Sequence, residues 1–228
     1  MRAWNWDRLA AGSGLVFVVL LLLSAFITGS PPKVTDRSAK IVSFFTEHHR
    51  AGLIAGMLGG LAIIAGIWFF ATLANRLREA GEPRLAAVAF GGGIMAGAIG
   101  MVATFLLTIM FYKVAKESPD LAKPMFIASS VGFTTIFFPL AATAWATGIA
   151  GWRSSIFPQW YAGLSMLGGL IFVFAGGALA SHGFYSPTGA YLWIALIGFA
   201  VWTLMTSAVL WRQAEGERAM KATPVPAA

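Results

Sequence analysis

The chain has 228 residues, of which 58% are hydrophobic and 11% are charged. Soluble domains carry about 25% charged residues, so the composition excludes an ordinary soluble domain and indicates a protein embedded in a lipid bilayer. The net charge of +7 is typical of loops held near anionic lipid, and no basic patch interleaved with aromatic residues predicts a nucleic-acid partner. The absence of cysteine excludes disulfides, thiol nucleophiles and cysteine metal sites.

Uncharged apolar runs predict an all-α fold, a polytopic membrane protein built as a bundle of six transmembrane helices in a single domain. One crossing takes roughly 20 residues. The last run, from Ser154 to Trp211, is long enough for two spans separated by the turn-like residues 181–189. We expect residues 212–228 to form a disordered tail. The spans are predicted near residues 11–29, 51–74, 86–112, 124–150, 158–181 and 189–211.

The first span also has the marks of a secretory signal peptide. Arg2 and Arg8 precede an apolar core, and small residues follow it. We expect the segment to be retained as a transmembrane helix. Pro31 and Pro32 end it, because proline lacks the backbone donor that a helix needs.

The first loop contains a segment with helical amphipathicity, from Asp36 to Arg50. Such a pattern predicts a short amphipathic helix lying flat on the outer surface of the membrane and leading into the second span. Its apolar side carries Ile41, Phe44, Phe45 and His48, and its polar side carries Lys40, Ser43, Glu47 and Arg50.

Glu47, His48 and His49 form the most conspicuous polar cluster of the chain. Adjacent histidines on a helix point about 100° apart, whereas chelation needs ligands three or four residues apart. A metal site would therefore require His182, which the predicted threading puts on the same face. The alternative is that Glu47 pairs with Arg50 and that the histidines lie among headgroups, where they could also sense pH.

Lysine and arginine favour the cytoplasmic side of a membrane, and they divide nine to seven between the two faces of the six-span arrangement. The excess predicts cytoplasmic N- and C-termini in a bacterial cytoplasmic membrane. Tryptophan anchors helix ends at the headgroups and falls mainly at the same face. That face carries Arg2, Arg8, Arg76, Arg78, Arg84, Arg153, Arg212, Arg218 and Lys221, with Trp4, Trp6, Trp68, Trp152, Trp160 and Trp211.

The six apolar cores contain no ionisable residue, which argues against a charge-coupled pump. They contain small residues at intervals of four, a spacing that lets helix backbones approach closely. This spacing predicts tightly packed helices and allows a homo-oligomer or a partner membrane subunit. The small residues are Gly52, Gly56 and Gly60, Gly93 and Gly97, and Ser165 and Gly169.

Hydroxyl residues and one proline mark the candidate ligand site. Pro139 falls in the middle of the fourth span and should leave the Thr135 carbonyl without its helical partner, which predicts a kink. A kink beside hydroxyl groups can line a cavity for a small ligand. The candidate ligand-binding residues are Thr104, Thr108, Ser130, Thr134, Thr135 and Pro139.

The segment Met57–Leu61 of the second span recurs as Met166–Leu170 in the fifth, in the same letters MLGGL. These spans are predicted to run in opposite directions. Repeats of three helices in inverted orientation are common in transporters, so the echo suggests a transporter as one alternative.

Several short motifs make the sequence resemble an uncharacterised family of bacterial six-span integral membrane proteins. The resemblance rests on Phe44-Phe45 and His49-Arg50 before the second span, on Trp68-Phe69 within it, and on Phe157-Pro158-Gln159-Trp160, where the family commonly has Leu-Pro-Arg-Trp. It implies six spans and supplies no activity.

Three functional classes stay open. The leading interpretation is a non-enzymatic integral membrane protein that binds a small apolar ligand or a partner subunit through glycine-lined packed helices. The alternatives are a small-solute transporter and an outer-face metal-dependent enzyme or sensor. The sequence indicates no particular cofactor and contains no nucleophile–base pair, Walker motif or metalloprotease motif.

Overall fold

A computed structural model describes residues 6–222 of the chain, with side chains from 12 to 215. Within these residues all regular structure is helical. Arg2, Trp4 and residues 223–228 lie outside the described residues, as do the side chains of Trp6, Arg8, Arg218 and Lys221. The helices are α1 (Trp6–Phe26), α2 (Ser38–Glu47), α3 (His49–Glu79), α4 (Pro83–Ile109), α5 (Ala115–Glu117), α6 (Pro119–Thr135), α7 (Phe137–Ser154), α8 (Gln159–Gly176) and α9 (Ala190–Ala222), with a π-helical turn (Met110–Val114) between α4 and α5.

Among the described residues, five helical segments are long and apolar enough to cross a membrane, and they correspond to the predicted second to sixth spans. The first predicted span differs. Helix α1 has 21 residues, but its described apolar part, Gly12–Phe26, is shorter than a full crossing needs. The five segments are His49–Glu79, Pro83–Glu117, Pro119–Ser154, Gln159–Gly176 and Ala190–Glu215.

The helices form a closed ring. Helix α1 packs beside α3, α3 beside α4, α4 beside α6 and α7, α7 beside α8, α8 beside α9, and α9 beside α1. Every helix of the ring exposes large apolar side chains, as expected for a surface in contact with lipid. Examples are Leu15 on α1, Met57 on α3, Phe105 on α4, Phe138 on α7, Leu167 on α8 and Ile197 on α9.

A chain of aromatic rings fills the middle of the ring of helices. Phe17 contacts Phe70 and Phe199, with ring centroids 6.3 and 5.8 Å apart. Phe172 continues the chain, at 6.1 Å from Phe199 and 5.7 Å from Phe137. All five side chains are buried, so five helices meet on one connected aromatic core.

Helix α3 turns into α4 within three residues. Gly81 adopts φ +80°, a left-handed conformation that favours glycine at a helix C-terminus. The Glu82 amide donates to the Leu77 carbonyl at 3.0 Å, and Pro83 begins α4 at a position where proline fits. The short turn makes α3 and α4 antiparallel neighbours.

Helix α2 confirms the amphipathic helix predicted in the first loop, and its apolar side packs against the protein itself. Ile41 and Phe45 are 0% and 1% exposed. The Phe45 ring lies 4.6 Å from that of Phe111 and 5.9 Å from that of Phe126. The π-helical turn and α6 offer an apolar surface of their own, so α2 caps one end of the bundle.

Two helix ends also differ from the sequence prediction. Helix α8 ends at Gly176, before the predicted end at residue 181. Helix α9 continues to Ala222, through most of the segment predicted to be a disordered tail. At the place of the predicted kink, α6 and α7 are separated by a break of the single residue Ile136, and the Ile136 and Leu140 amides each lie 3.3 Å from their acceptor carbonyls.

Candidate functional site

His49 joins the first turn of α3 to the π-helical turn. Its Nδ1 donates a hydrogen bond to the Phe111 carbonyl. The Phe111 ring packs on Gly52, where an added Cβ would overlap the ring atoms. His49 and Gly52 therefore hold one residue of the π-helical turn from two sides. Turns of this kind are rare and frequently occur at functional sites.

His48 lies at the junction of α2 and α3. Its Nδ1 is 3.0 Å from the Phe44 carbonyl, and its ring stacks on that of Phe44 with centroids 4.7 Å apart. Glu47 and Arg50 are exposed, and no salt bridge joins them among the described residues. The i,i+3 pair considered from the sequence is thus not formed.

His182 lies in the loop between α8 and α9, where its Nδ1 is 2.8 Å from the Ser181 hydroxyl. Within the part of the chain that the structure describes, no three histidine, aspartate or glutamate side chains are grouped so that they could hold a metal ion. Glu47, His48, His49 and His182 are therefore not brought together as one ligand set.

Asp36 organises the start of α2. Its carboxylate accepts hydrogen bonds from the Lys40 ammonium at 2.8 Å and from the Lys33 amide at 2.9 Å. These hydrogen bonds, of which the one from Lys40 has the largest effect, hold the pKa of the Asp36 carboxyl below its ordinary value. The Lys123 ammonium of α6 donates to the Asp36 carbonyl at 3.0 Å. Sequence reasoning placed no role on Asp36, although a lone acid among Lys33, Arg37 and Lys40 is visible in the sequence.

Thr104 and Thr108 lie in the seam between α3 and α4. The Thr108 hydroxyl donates to the Thr104 carbonyl at 2.8 Å. Cβ atoms added at Gly56 and Gly59 would lie 2.5 Å from Thr108 and 3.4 Å from Thr104. The threonines therefore fill glycine notches and act as packing residues in this arrangement.

Ser130, Thr134 and Thr135 each donate to a backbone carbonyl of their own helix, at 2.8, 2.9 and 2.9 Å. The Pro139 carbonyl lies 2.5 Å from where a Cβ at Gly92 would be, so the backbones of α4 and α7 touch beside the break. The six residues predicted to bind a ligand thus divide between two packed seams.

Cross-helix hydrogen bonds are a polar feature whose partners sequence reasoning did not identify. Each joins a buried or half-buried side chain to a neighbouring helix, and such bonds contribute about 0.6 kcal/mol on average in a membrane. The only sequence signal was a hydroxyl or indole inside an apolar run. They include Ser24 to the Ala55 carbonyl (2.8 Å), Ser129 to the Ala103 carbonyl (3.0 Å), Thr143 to the Ala89 carbonyl (3.1 Å), Trp145 to the Met166 carbonyl (3.2 Å), Tyr191 to the Ile171 carbonyl (3.2 Å) and Trp202 to the Ser165 hydroxyl (3.0 Å).

The two MLGGL segments occupy different environments. Nothing lies within 4 Å of a Cβ at Gly60, whereas a Cβ at its counterpart Gly169 would overlap the Trp145 ring. The repeated letters do not correspond to a repeated packing contact at these positions.

Comparison with protein families, with curated proteins and with solved structures finds no match to this chain. The resemblance to an uncharacterised bacterial membrane family stays a prediction from its residues.

Proposed function

We propose that this protein is a non-enzymatic integral membrane protein that functions by binding another molecule at its lipid-facing surface. The occupant is a second copy, a partner membrane subunit or a small apolar ligand. The main support is the aromatic core: Phe17, Phe70, Phe137, Phe172 and Phe199 fill the middle of the bundle with contacting rings. Because the middle of the bundle is filled, we place the binding surface on the outside of the bundle.

The glycines favour an external site in the same way. Gly52, Gly56, Gly93 and Gly169 are covered by side chains of the chain itself. Nothing lies within 4 Å of a Cβ at Gly163 of α8 or Gly198 of α9, and both residues are half-buried. Such recessed glycines leave room for another helix to approach closely.

The register of α8 against α9 sets the separation of these two glycines along the helix axes. The Trp202 indole faces the Ser165 hydroxyl and the Tyr161 hydroxyl faces Thr206. With a rise of about 1.5 Å per residue, this antiparallel pairing puts Gly163 and Gly198 about 9 Å apart along the helix axes. Leu167 and Ile197 flank them and are exposed.

The test is the state of association in lipid nanodiscs. We expect wild-type protein to contain more than one copy, a partner or a bound ligand, detected by native mass spectrometry. Gly163→Leu and Gly198→Leu should remove the bound molecule by filling the open space over each glycine. Gly91→Leu is the matched control, because Gly91 of α4 is also uncovered. A wild-type monomer with nothing bound would contradict the proposal.

The chain's lack of cysteine permits a second measurement. Leu167→Cys, on the exposed face of α8, should form a disulfide-linked dimer on oxidation if the occupant is a second copy. Met95→Cys, exposed on α4, should not.

A second candidate function, transport of a small solute, is favoured by the break between α6 and α7. Discontinuous helices surround the substrate sites of many transporters, and Pro139 puts this break inside a predicted span. Flux of candidate solutes into liposomes above the level of empty vesicles is the test. Absence of flux across a broad panel would remove this candidate.

We also propose that the termini face the cytoplasm of a bacterial cell. Exposed tryptophans at the end of the bundle that carries most arginines support an interfacial position for that end. Ser38→Cys, exposed at the start of α2, should react with a membrane-impermeant maleimide in intact cells, whereas Arg78→Cys should react only after lysis. The reverse pattern would invert the orientation. The tryptophans are Trp68, Trp152, Trp160 and Trp211.

A further inference from the structure

We propose that the start of α2 binds the phosphate-bearing headgroup of an anionic phospholipid. The site is the cationic patch formed by Lys33, Arg37, Lys40 and Lys123 around Asp36. It lies at the opposite end of the helices from most arginines and is independent of the α8–α9 surface proposed above.

The patch is assembled by contacts and not only by closeness in sequence. The Asp36 carboxylate holds the Lys40 ammonium at 2.8 Å and the Lys33 amide at 2.9 Å. The Lys123 ammonium comes from α6 to bind the Asp36 carbonyl at 3.0 Å. Residues distant in the chain therefore converge on one point.

The charges of the patch do not cancel. Four cations share one carboxylate, and the other acids of the elements that meet here are Asp120 on the first turn of α6, Glu47 at the end of α2 and Glu117 of α5, which pairs with Lys113. Within the described residues, the Arg37 and Lys33 side chains have no ion pair, and both residues are exposed. An arginine with all its donors free is suited to bind phosphate in a bidentate manner.

The surroundings favour a lipid headgroup as the source of the phosphate. The patch lies where α2 caps one end of the helices that are long and apolar enough to cross a membrane, which is the end at which headgroups are expected. Helix α6 carries Lys123 and exposes Leu121 and Ile127, so an acyl chain can follow α6 while its headgroup contacts the cations. Basic residues close to a membrane surface attract anionic lipid.

The experiment measures which lipids stay bound. Protein is reconstituted in vesicles of equal parts phosphatidylglycerol and phosphatidylcholine, released, and analysed by native mass spectrometry. We expect phosphatidylglycerol to be enriched on the wild-type protein. Arg37→Gln should reduce the enrichment about fivefold, which corresponds to about 1 kcal/mol per cation, and Arg37→Gln with Lys33→Gln should reduce it further.

Lys116→Gln is the matched control. Lys116 is exposed on α5 at the same end and, among the described residues, has no ion pair, so its loss changes the net charge by the same amount. Unchanged enrichment in this variant, with loss in Arg37→Gln, supports the patch. Equal loss in both variants would point to diffuse electrostatic attraction and overturn the proposal, as would equal enrichment in wild type and the double variant. The melting temperature of each variant shows whether the fold is intact.

Discussion

The α3–α4 seam and the α8–α9 seam lie on opposite sides of the ring of helices and are held together by different means. Between α3 and α4, Phe111, Thr108 and Thr104 fill the space over Gly52, Gly56 and Gly59. Between α8 and α9, buried side chains bridge the helices instead, with Trp202 donating to Ser165 and Tyr161 in contact with Thr206.

The difference shows two ways of holding helices together in lipid, where the hydrophobic effect does little to drive helix association. Glycines allow close backbone approach and gain dispersion over a long contact. Larger residues keep the backbones apart and use hydrogen bonds, whose strength depends on leaving no buried polar group unpaired. The first kind should be sensitive to added volume, and the second to removal of a single donor or acceptor.

The largest effect is expected from adding volume to the α3–α4 seam. Gly52→Leu would drive a side chain into the Phe111 ring, and overpacking of this kind typically costs about 1–3 kcal/mol or more. We expect a strong loss of folded protein, measured as the free energy of unfolding during SDS titration in mixed micelles.

Gly60→Leu is the control for Gly52→Leu. It lies on the same helix two turns away, and nothing is within 4 Å of an added Cβ. Similar unfolding free energies for the two variants would show that the seam is not packed as described.

Part of the difference between the two seams could be predicted from the sequence. The spacing of Gly52, Gly56 and Gly60 correctly predicted close helix packing, because a period of four keeps residues on one helix face. It could not tell that Gly60 stays uncovered, since spacing says nothing about the partner helix. Amphipathicity identified α2 but not its position, because Ile41 and Phe45 would be equally apolar against lipid or against Phe111 and Phe126.

Less of the candidate site could be predicted from the sequence. His49 was one of four candidate metal ligands, and the partner that the structure shows for it is the backbone carbonyl of residue 111. A carbonyl has no signature in a sequence, and the π-helical turn that presents it has none either. The aromatic core was missed for a similar reason: Phe17, Phe137 and Phe199 are far apart in the chain and converge only when the ring of helices closes.

An intermediate effect is expected from removing one acceptor in the α8–α9 seam. Ser165→Ala leaves the buried Trp202 indole N–H without its partner at 3.0 Å, and changes the volume little. Cross-helix hydrogen bonds in membranes average about 0.6 kcal/mol and reach about 1.7 kcal/mol. We expect a loss in this range by the same SDS titration.

Ser130→Ala is the control for Ser165→Ala. The Ser130 hydroxyl is also buried, but it bonds to the Phe126 carbonyl of its own helix, a bond that adds little to helix stability. If Ser130→Ala costs as much as Ser165→Ala, the bridges between α8 and α9 are not what distinguishes this seam.

The smallest effect, with the opposite sign, is expected at Thr203. Its hydroxyl is buried and, within the described residues, has no hydrogen-bond partner, whereas the Thr206 hydroxyl, one turn further along α9, donates to the Trp202 carbonyl at 2.7 Å and contacts Tyr161. Thr203→Val removes an unpaired polar group and keeps the branched shape, so the free energy of unfolding should stay unchanged or rise slightly. Thr206→Val strands the Tyr161 hydroxyl and should lower it by about 1 kcal/mol. A larger loss at Thr203 than at Thr206 would contradict the inference that hydrogen bonds between α8 and α9 hold this seam together.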